Sequence, residues 1–154
     1  MTMGTKDREM STASEGFFAR YGRAWADRDP DAIVAMHTED SVFHLHDVAE
    51  PSCGRAAVRD AFASGFEAMP DLRFERKRVL FGSGHVVSEY VMRGTMGDKP
   101  FACDGVDVFT LRDGLIARKD SYVDWLTYAR QVGLDTTEAG LARYAESSRT
   151  GARP

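Results

Sequence analysis

The chain has few of the features that point to a function on their own. Its two cysteines, Cys53 and Cys103, form no CxxC pair and are too few for a disulfide framework, so both are expected as reduced thiols. It has no excess of positive charge. The formal net charge is -4, and the Lys and Arg residues are scattered, which leaves no electrostatic footprint for a nucleic-acid backbone or an anionic membrane. No apolar run approaches a membrane span, and the opening MTMGTKDREM is polar where a secretion signal needs an apolar core. A soluble, cytoplasmic protein is the expectation. Neither HExxH nor any other recognised ligand spacing occurs among the four histidines. His44-Leu45-His46 is the single weak metal signal, and neither metal nor cofactor is expected. Internal repeats and low-complexity tracts are absent, and 154 residues suit one domain with a core of its own.

The most informative stretch runs from Phe101 to Gly133 and divides into strand, turn, strand and short helix. In the first strand Cys103, Gly105, Asp107, Phe109 and Leu111 share one side, because successive strand side chains point to opposite faces. Asp107 therefore sits among apolar neighbours. Val106, Val108 and Thr110 on the other side indicate partial cover there too, and a carboxylate so placed needs a partner or a raised pKa. After an Asp113-Gly114 turn the second strand, Leu115 to Val123, delivers Asp120, Tyr122 and Asp124 just ahead of Trp125 and an amphipathic helical turn.

The rest of the chain frames this hairpin. Residues 1–10 read as a flexible N-terminus, followed by a helix from Ser11 to Asp27 whose Phe17, Tyr21 and Trp25 recur every four residues as an aromatic stripe. Asp29-Pro30-Asp31 stops it and starts a short second helix ending near His37. Ser41 to Asp47 alternates as a strand, with Val42, His44 and His46 on one side and Phe43 and Leu45 on the other. A loop then precedes a third helix, Arg55 to Met69, with Val58, Phe62 and Phe66 inward. Strands follow over Leu72 to Phe81 and His85 to Arg93, then a loop through Gly94, Gly97 and Pro100. Beyond Gly133 a helical piece, Thr137 to Glu146, and a loose tail form a C-terminal extension over residues 135–154.

Helical hairpin, strand, helix and long antiparallel strands make an α+β layout in which a cone-shaped, curved, mainly antiparallel sheet wraps the N-terminal helices. Specific strings carry a likeness. Arg20-Tyr21 followed by AWADRDPDAIVAMHTEDSVF, Gly54-Arg55 leading into AVRDAF, and GVDVFTLRDGLIARK resemble the NTF2-like superfamily, within it the SnoaL-like polyketide cyclases and ketosteroid isomerases, over about residues 10–134. That resemblance implies the cystatin-like α+β barrel as fold. It also implies site residues. Tyr21 and Asp107 match the Tyr and protonated Asp that form the isomerases' oxyanion hole. Leu45 stands where those enzymes carry their general base, with His44 and His46 on either side. Asp124 with Gln131-Val132-Gly133 is similar to an Asp followed by a spaced Gln-Leu-Gly in the cyclases, and makes Asp124 a second acid/base candidate. The Arg-x-Asp pair of limonene epoxide hydrolases has no counterpart, since Ser88-Glu89-Tyr90 and Ser121 occupy the comparable region.

Each candidate also has a plainer reading. Asp107 can be a buried carboxylate bonded to a neighbouring strand or to Tyr21, and Asp124 can cap the helix that starts at Trp125. His44 and His46 are either proton-transfer groups or ordinary strand residues. Phe17, Trp25, Leu45, Phe62, Phe66, Tyr90, Met92, Phe109 and Tyr122 are expected as the apolar wall of a pocket. The function expected from the resemblance is a cofactor-independent acid/base enzyme that enolises a small, hydrophobic, carbonyl-bearing substrate of polyketide or steroid type, leading to cyclisation, isomerisation or dehydration. The alternative is a non-catalytic binding or dimerisation module on the same fold. A homodimer through one sheet face is expected, because Val87, Val91, Val106 and Val108 lie on the parity opposite the pocket.

Overall fold

The computed structural model describes residues 5–137 together with residues 140, 142 and 146, and side chains from residue 14 onward. The helical piece expected over Thr137 to Glu146, and the tail, lie almost wholly outside the described residues. Helix α1 (Thr5–Ala26) begins earlier than the expected Ser11, continuing through Lys, Arg, Glu and Met, which favour a helix. Its inward stripe is Phe18, Tyr21 and Ala24, with Trp25 alongside; Phe17 is only half-buried, so the stripe is turned slightly from the one expected. Arg28 adopts a left-handed backbone (φ 57°) between α1 and α2 (Pro30–Val34), and Asp29 caps α2 by accepting from the Ala32 N–H at 2.9 Å. The Arg28 guanidinium donates to the carbonyls of Phe66 at 2.6 Å and of Met69 and Leu72 at 3.4 Å, satisfying groups left over at the end of the third helix.

Strands β1 (His37–Leu45) and β2 (Ser52–Cys53), helix α3 (Arg55–Ala68), strands β3 (Arg73–Gly82), β4 (His85–Met96), β5 (Lys99–Arg112) and β6 (Leu115–Val123), and helix α4 (Trp125–Val132) complete the order. The curved six-stranded sheet runs β2-β1-β6-β5-β4-β3; β1 and β6 are parallel and every other pair is antiparallel. The loop expected from Gly94 to Pro100 is a tight hairpin instead. Met96 pairs with Lys99 around Gly97 (φ 64°) and Asp98, so β4 and β5 extend the ladder almost to the turn. No helix among the described residues is long and apolar enough to cross a membrane.

The β5–β6 hairpin turns through Asp113 (φ 52°) and Gly114 (φ 75°), the paired positive dihedrals of a type I′ turn. Leu111 faces Ile116, but Thr110 faces Arg118, so Ala117 is an extra residue in β6. That bulge exchanges the two faces. Ile116 is buried before it and Lys119 and Ser121 are buried after it, while Arg118, Asp120 and Tyr122 turn to the outer face. On the inner face α1 and α3 pack against Phe43, Tyr90, Met92, Phe101, Cys103 and Phe109. The four valines, Val87, Val91, Val106 and Val108, are half-buried on the outer face.

Candidate active site

The parity expected for β5 holds, with Cys103, Gly105, Asp107 and Phe109 all buried on the inner side. Gly105 lies opposite Tyr90 on β4, and a Cβ there would come within 2.4 Å of the Tyr90 ring. Glycine thus lets the ring fold flat across β5 and reach the next inward residue: the Tyr90 hydroxyl donates to Asp107 Oδ1 at 2.9 Å. Ser121, directly across β6 from Asp107, donates to the same oxygen at 2.6 Å. Lys119 Nζ lies 2.7 Å from Asp107 Oδ2 and donates to Ser121 Oγ at 2.7 Å. The carboxylate thus accepts from three donors and its charge is matched by one ammonium. Asp107 is 8% exposed and Lys119 4%. So dry an ion pair holds only with further hydrogen bonds, and Tyr90 and Ser121 supply two of them to Oδ1.

The ammonium also faces the rings of Phe43, Phe109 and Trp25, at 5.2, 5.5 and 5.6 Å from their centroids. Two cavities meet at this group. One, of about 240 Å³, lies between α3, β1 and the start of α4, and its wall includes Phe43, Leu45, Phe62, Met92 and Trp125. The other, of about 520 Å³, lies between α1 and β3–β5, lined by Phe18, Tyr21, Asp107 and Phe109 among others. Trp25, Leu72, Phe74, Tyr90 and Lys119 belong to both. The larger is within the size range of small-molecule sites and, like them, is mostly apolar with a few convergent polar groups.

Tyr21 does not bond Asp107. Its hydroxyl lies 3.2 Å from Nε2 of the fully buried His37. Burial first, then the charges of Lys119 and Arg55, pushes the His37 imidazole down to about 3, so it is neutral and Nε2 can accept the phenolic proton. Burial also holds the phenols of Tyr21 and Tyr90 well above their ordinary range, with the Asp107 charge adding to both and a Trp25 contact opposing at Tyr21. Both are donors at neutral pH. The donor role expected for Asp107 is therefore replaced by an acceptor role, because everything that reaches it donates.

The remaining candidates divide cleanly. Trp25, Leu45, Phe62, Tyr90, Met92 and Phe109 line the cavities. Phe17 and Phe66 stand behind the wall, edge-on to Phe18 at 5.5 Å and to Trp25 at 5.3 Å. Asp124 lies outside both cavities. It is exposed and caps α4, accepting from the Thr127 N–H at 3.0 Å, and the Thr127 side chain first, then that N–H, holds its carboxyl below the usual range. Gln131 is structural too: its amide exchanges hydrogen bonds with the Ala102 backbone at 2.6 and 3.0 Å, docking α4 on β5. His44, His46 and Tyr122 are on the outer face, Tyr122 48% exposed and stacked on His46 at 4.1 Å. The bulge in β6 turns Asp120 and Tyr122 away from the cone, and His44 and His46 alternate on β1 with the cavity-lining Phe43 and Leu45. Ligand atoms of His44, His46 and Asp120 lie within 4.8 Å of one another, the one such metal-capable group among the described residues. Arg118 already holds both oxygens of that carboxylate, at 2.7 and 2.8 Å, and His46 holds one at 2.8 Å.

Sequence reading missed Lys119, Ser121 and His37. The available signal was the demand of Asp107 for a partner, met by the one inward lysine on the next strand.

A profile of the SnoaL-like domain matches residues 18–119. No curated protein sequence matches the chain. Among solved structures, a protein of ketosteroid isomerase-like fold from Catenulispora acidiphila DSM 44928, in complex with trimethylamine, is 19% identical, with a TM-score of 0.71 over 77% of this chain and 93% of that one. TerC, co-crystallised with polyporic acid, is 16% identical, with a TM-score of 0.71 over 79% and 98%. A protein from Jannaschia sp. CCS1 assigned to the SnoaL-like polyketide cyclases is 19% identical, with a TM-score of 0.70 over 79% and 92%. At these identities the structural likeness speaks for the fold. The profile match spans most of the chain, and the protein belongs to the SnoaL-like domain family, on the NTF2-like, ketosteroid isomerase-like fold.

Proposed function

We propose that this protein is a cofactor-independent acid/base enzyme that enolises a small, largely apolar, carbonyl-bearing substrate on the way to cyclisation, isomerisation or dehydration. The observation that carries the reading is the Lys119–Asp107 pair, buried in the sheet yet lining the larger cavity. Two of the three ammonium N–H bonds point to Asp107 and Ser121, leaving the third for a ligand oxygen. A carbonyl accepting that bond has a more acidic α-carbon, and the enolate formed by deprotonation carries its charge beside the ammonium. Asp107 Oδ2 takes the α-proton on a free lone pair and returns it to a different atom: a carbon in isomerisation, the alkoxide of a closing ring, or a departing hydroxyl. Ser121 and Tyr90 keep the carboxylate aimed. The aromatic walls exclude water, which strengthens each of these interactions. That two proteins of similar fold were crystallised with small molecules, trimethylamine and polyporic acid, supports a small-molecule ligand.

Exchange of α-protons tests the reading without the natural substrate. In D2O, wild-type protein should speed the loss of the α-proton NMR signals of β-tetralone, and Asp107→Asn and Lys119→Met should return the rate to background. Binding of the ketone with no exchange in the wild type would leave a non-catalytic binding module, a reading favoured by the three donors that Asp107 already accepts from within the protein. We infer in addition a homodimer through the outer sheet face, where Leu80 and Tyr122 are exposed beside the four half-buried valines. Light scattering at low micromolar concentration checks it, and a monomer would end that inference.

A further inference from the structure

The larger cavity has a charge that the rest of the molecule does not. The chain carries a formal net charge of -4. Yet Arg23, Arg73, Arg76 and Lys119 line this cavity against a single carboxylate, Asp107, which Lys119 already neutralises. Three guanidinium groups are left over. Elsewhere five arginines are paired, Arg59 with Asp31, Arg78 with Glu89, Arg93 with Glu75, Arg112 with Asp40 and Arg118 with Asp120, and Arg28 and Arg55 donate to backbone carbonyls; only Arg20 and Arg130, outside the cavity, also form no ion pair among the described residues. Among the described residues no carboxylate forms an ion pair with Arg23, Arg73 or Arg76. Arg23 has an ordinary reason to be where it is, in the last turn of α1 where a cation suits the helix dipole. On β3, Arg73 has only the more distant charge of Asp71, which Thr95 already holds, and Arg76 has no such reason.

Arg76 also has a place prepared for it. A Cβ on Gly22 would come within 2.7 Å of Arg76 Nη2, so the guanidinium rests on the bare backbone of α1. Glycine in a helix interior costs about 1 kcal/mol relative to alanine, and here it admits a cation to the cavity wall. Inward of these exposed arginines the wall becomes Phe18, Trp25 and Phe109. The cavity thus grades from three unpaired cations to aromatic rings to the Lys119–Asp107 pair.

We propose that the larger cavity takes an amphipathic anion: an aromatic or polycyclic body that lies against the rings, bearing a carboxylate or other anionic oxygen group held by Arg23, Arg73 and Arg76. This rests on the proposed function and narrows its substrate class from any apolar carbonyl compound to one with an acidic group at the end remote from the reacting carbonyl. The arginines also concentrate such anions at the entrance, since a cleft of one sign focuses the field.

The test uses two fluorescent probes of one skeleton, anilinonaphthalene sulfonate and its uncharged relative N-phenylnaphthylamine. The sulfonate should bind the wild type roughly tenfold more tightly, the size expected from two or three partly exposed charge contacts, and added salt should erase the difference. Arg73→Gln with Arg76→Gln should remove the preference while leaving N-phenylnaphthylamine binding unchanged. Gly22→Ala should weaken the sulfonate alone, because the flexible end of Arg76 moves aside while the helix gains propensity, which separates the effect from loss of fold. Arg78→Gln, outside the cavity, should change neither. Equal affinity of the wild type for both probes, or an equal loss of both in the Arg73/Arg76 variant, overturns the anion proposal and leaves the enzyme reading standing. Binding of neither probe counts against the proposal and the cavity reading together, whereas sulfonate selectivity without β-tetralone exchange keeps the anion site and discards the enzyme.

Discussion

Asp107 and Lys119 stand on adjacent strands of one hairpin, and their carboxylate and ammonium meet at 2.7 Å beneath the aromatic rings of α1 and β1. Removing one partner leaves the other buried and uncompensated. Lys119→Met and Asp107→Leu should each lower stability by about 3–5 kcal/mol, while the double variant, with an apolar pair in the same space, should recover most of that loss. Urea unfolding of the four proteins measures the coupling. Simple addition of the two single losses would show that the pair is not an energetic unit.

His37 sets a pH dependence. Its imidazole titrates at 6.5 in the unfolded chain and is pushed down to about 3 in the fold, chiefly by burial and then by Lys119 and Arg55. The unfolded state therefore binds the extra proton between these values. The stabilisation is complete above 6.5 and falls as the pH drops, by roughly 1.4 kcal/mol per unit within that window. His37→Asn should flatten the profile of stability against pH over the same range. Parallel profiles for variant and wild type would place the acid sensitivity elsewhere.

Asp124 should behave as a helix cap. Asp124→Ala should lower stability by about 1 kcal/mol through loss of the bond from the Thr127 N–H, and Asp124→Asn, which still accepts that bond, by much less. Neither should change α-proton exchange. A collapse of exchange in Asp124→Asn with the fold intact would restore Asp124 as the acid/base group.

Gly105 should tolerate no side chain while Tyr90 is present. Gly105→Ala drives a methyl group into a buried ring and should cost about 1–3 kcal/mol, with loss of the Tyr90–Asp107 bond. Adding Tyr90→Leu should relieve the clash, so that the double variant is more stable than Gly105→Ala alone. Thermal unfolding compares them, and a further drop in the double variant would refute the close-approach argument.

Much of the fold could be read from local patterns. The alternation from Phe101 to Leu111 places Asp107 on the buried side, Asp113-Gly114 specifies a type I′ turn, and the helix–strand order with its characteristic strings identifies the family. Each depends on residues near in sequence, whose dihedral preferences and polarity act without reference to the rest of the chain. The partners of Asp107 do not. From a two-residue turn, uninterrupted pairing would bring Asp120 opposite Asp107. The extra residue at Ala117 moves the ladder by one, so Ser121 takes that place, Lys119 turns inward, and Asp120 and Tyr122 turn out towards His44 and His46. A bulge has no composition of its own, and alanine occurs in any strand. Its position is decided by which of the two alternating sets of β6 side chains packs better against α1, α3 and β1 at once. The sequence by itself determined that a buried carboxylate would stand on β5. Only the tertiary structure decided that a lysine would answer it, because strand pairing has a period of two and a shift of one residue exchanges the faces.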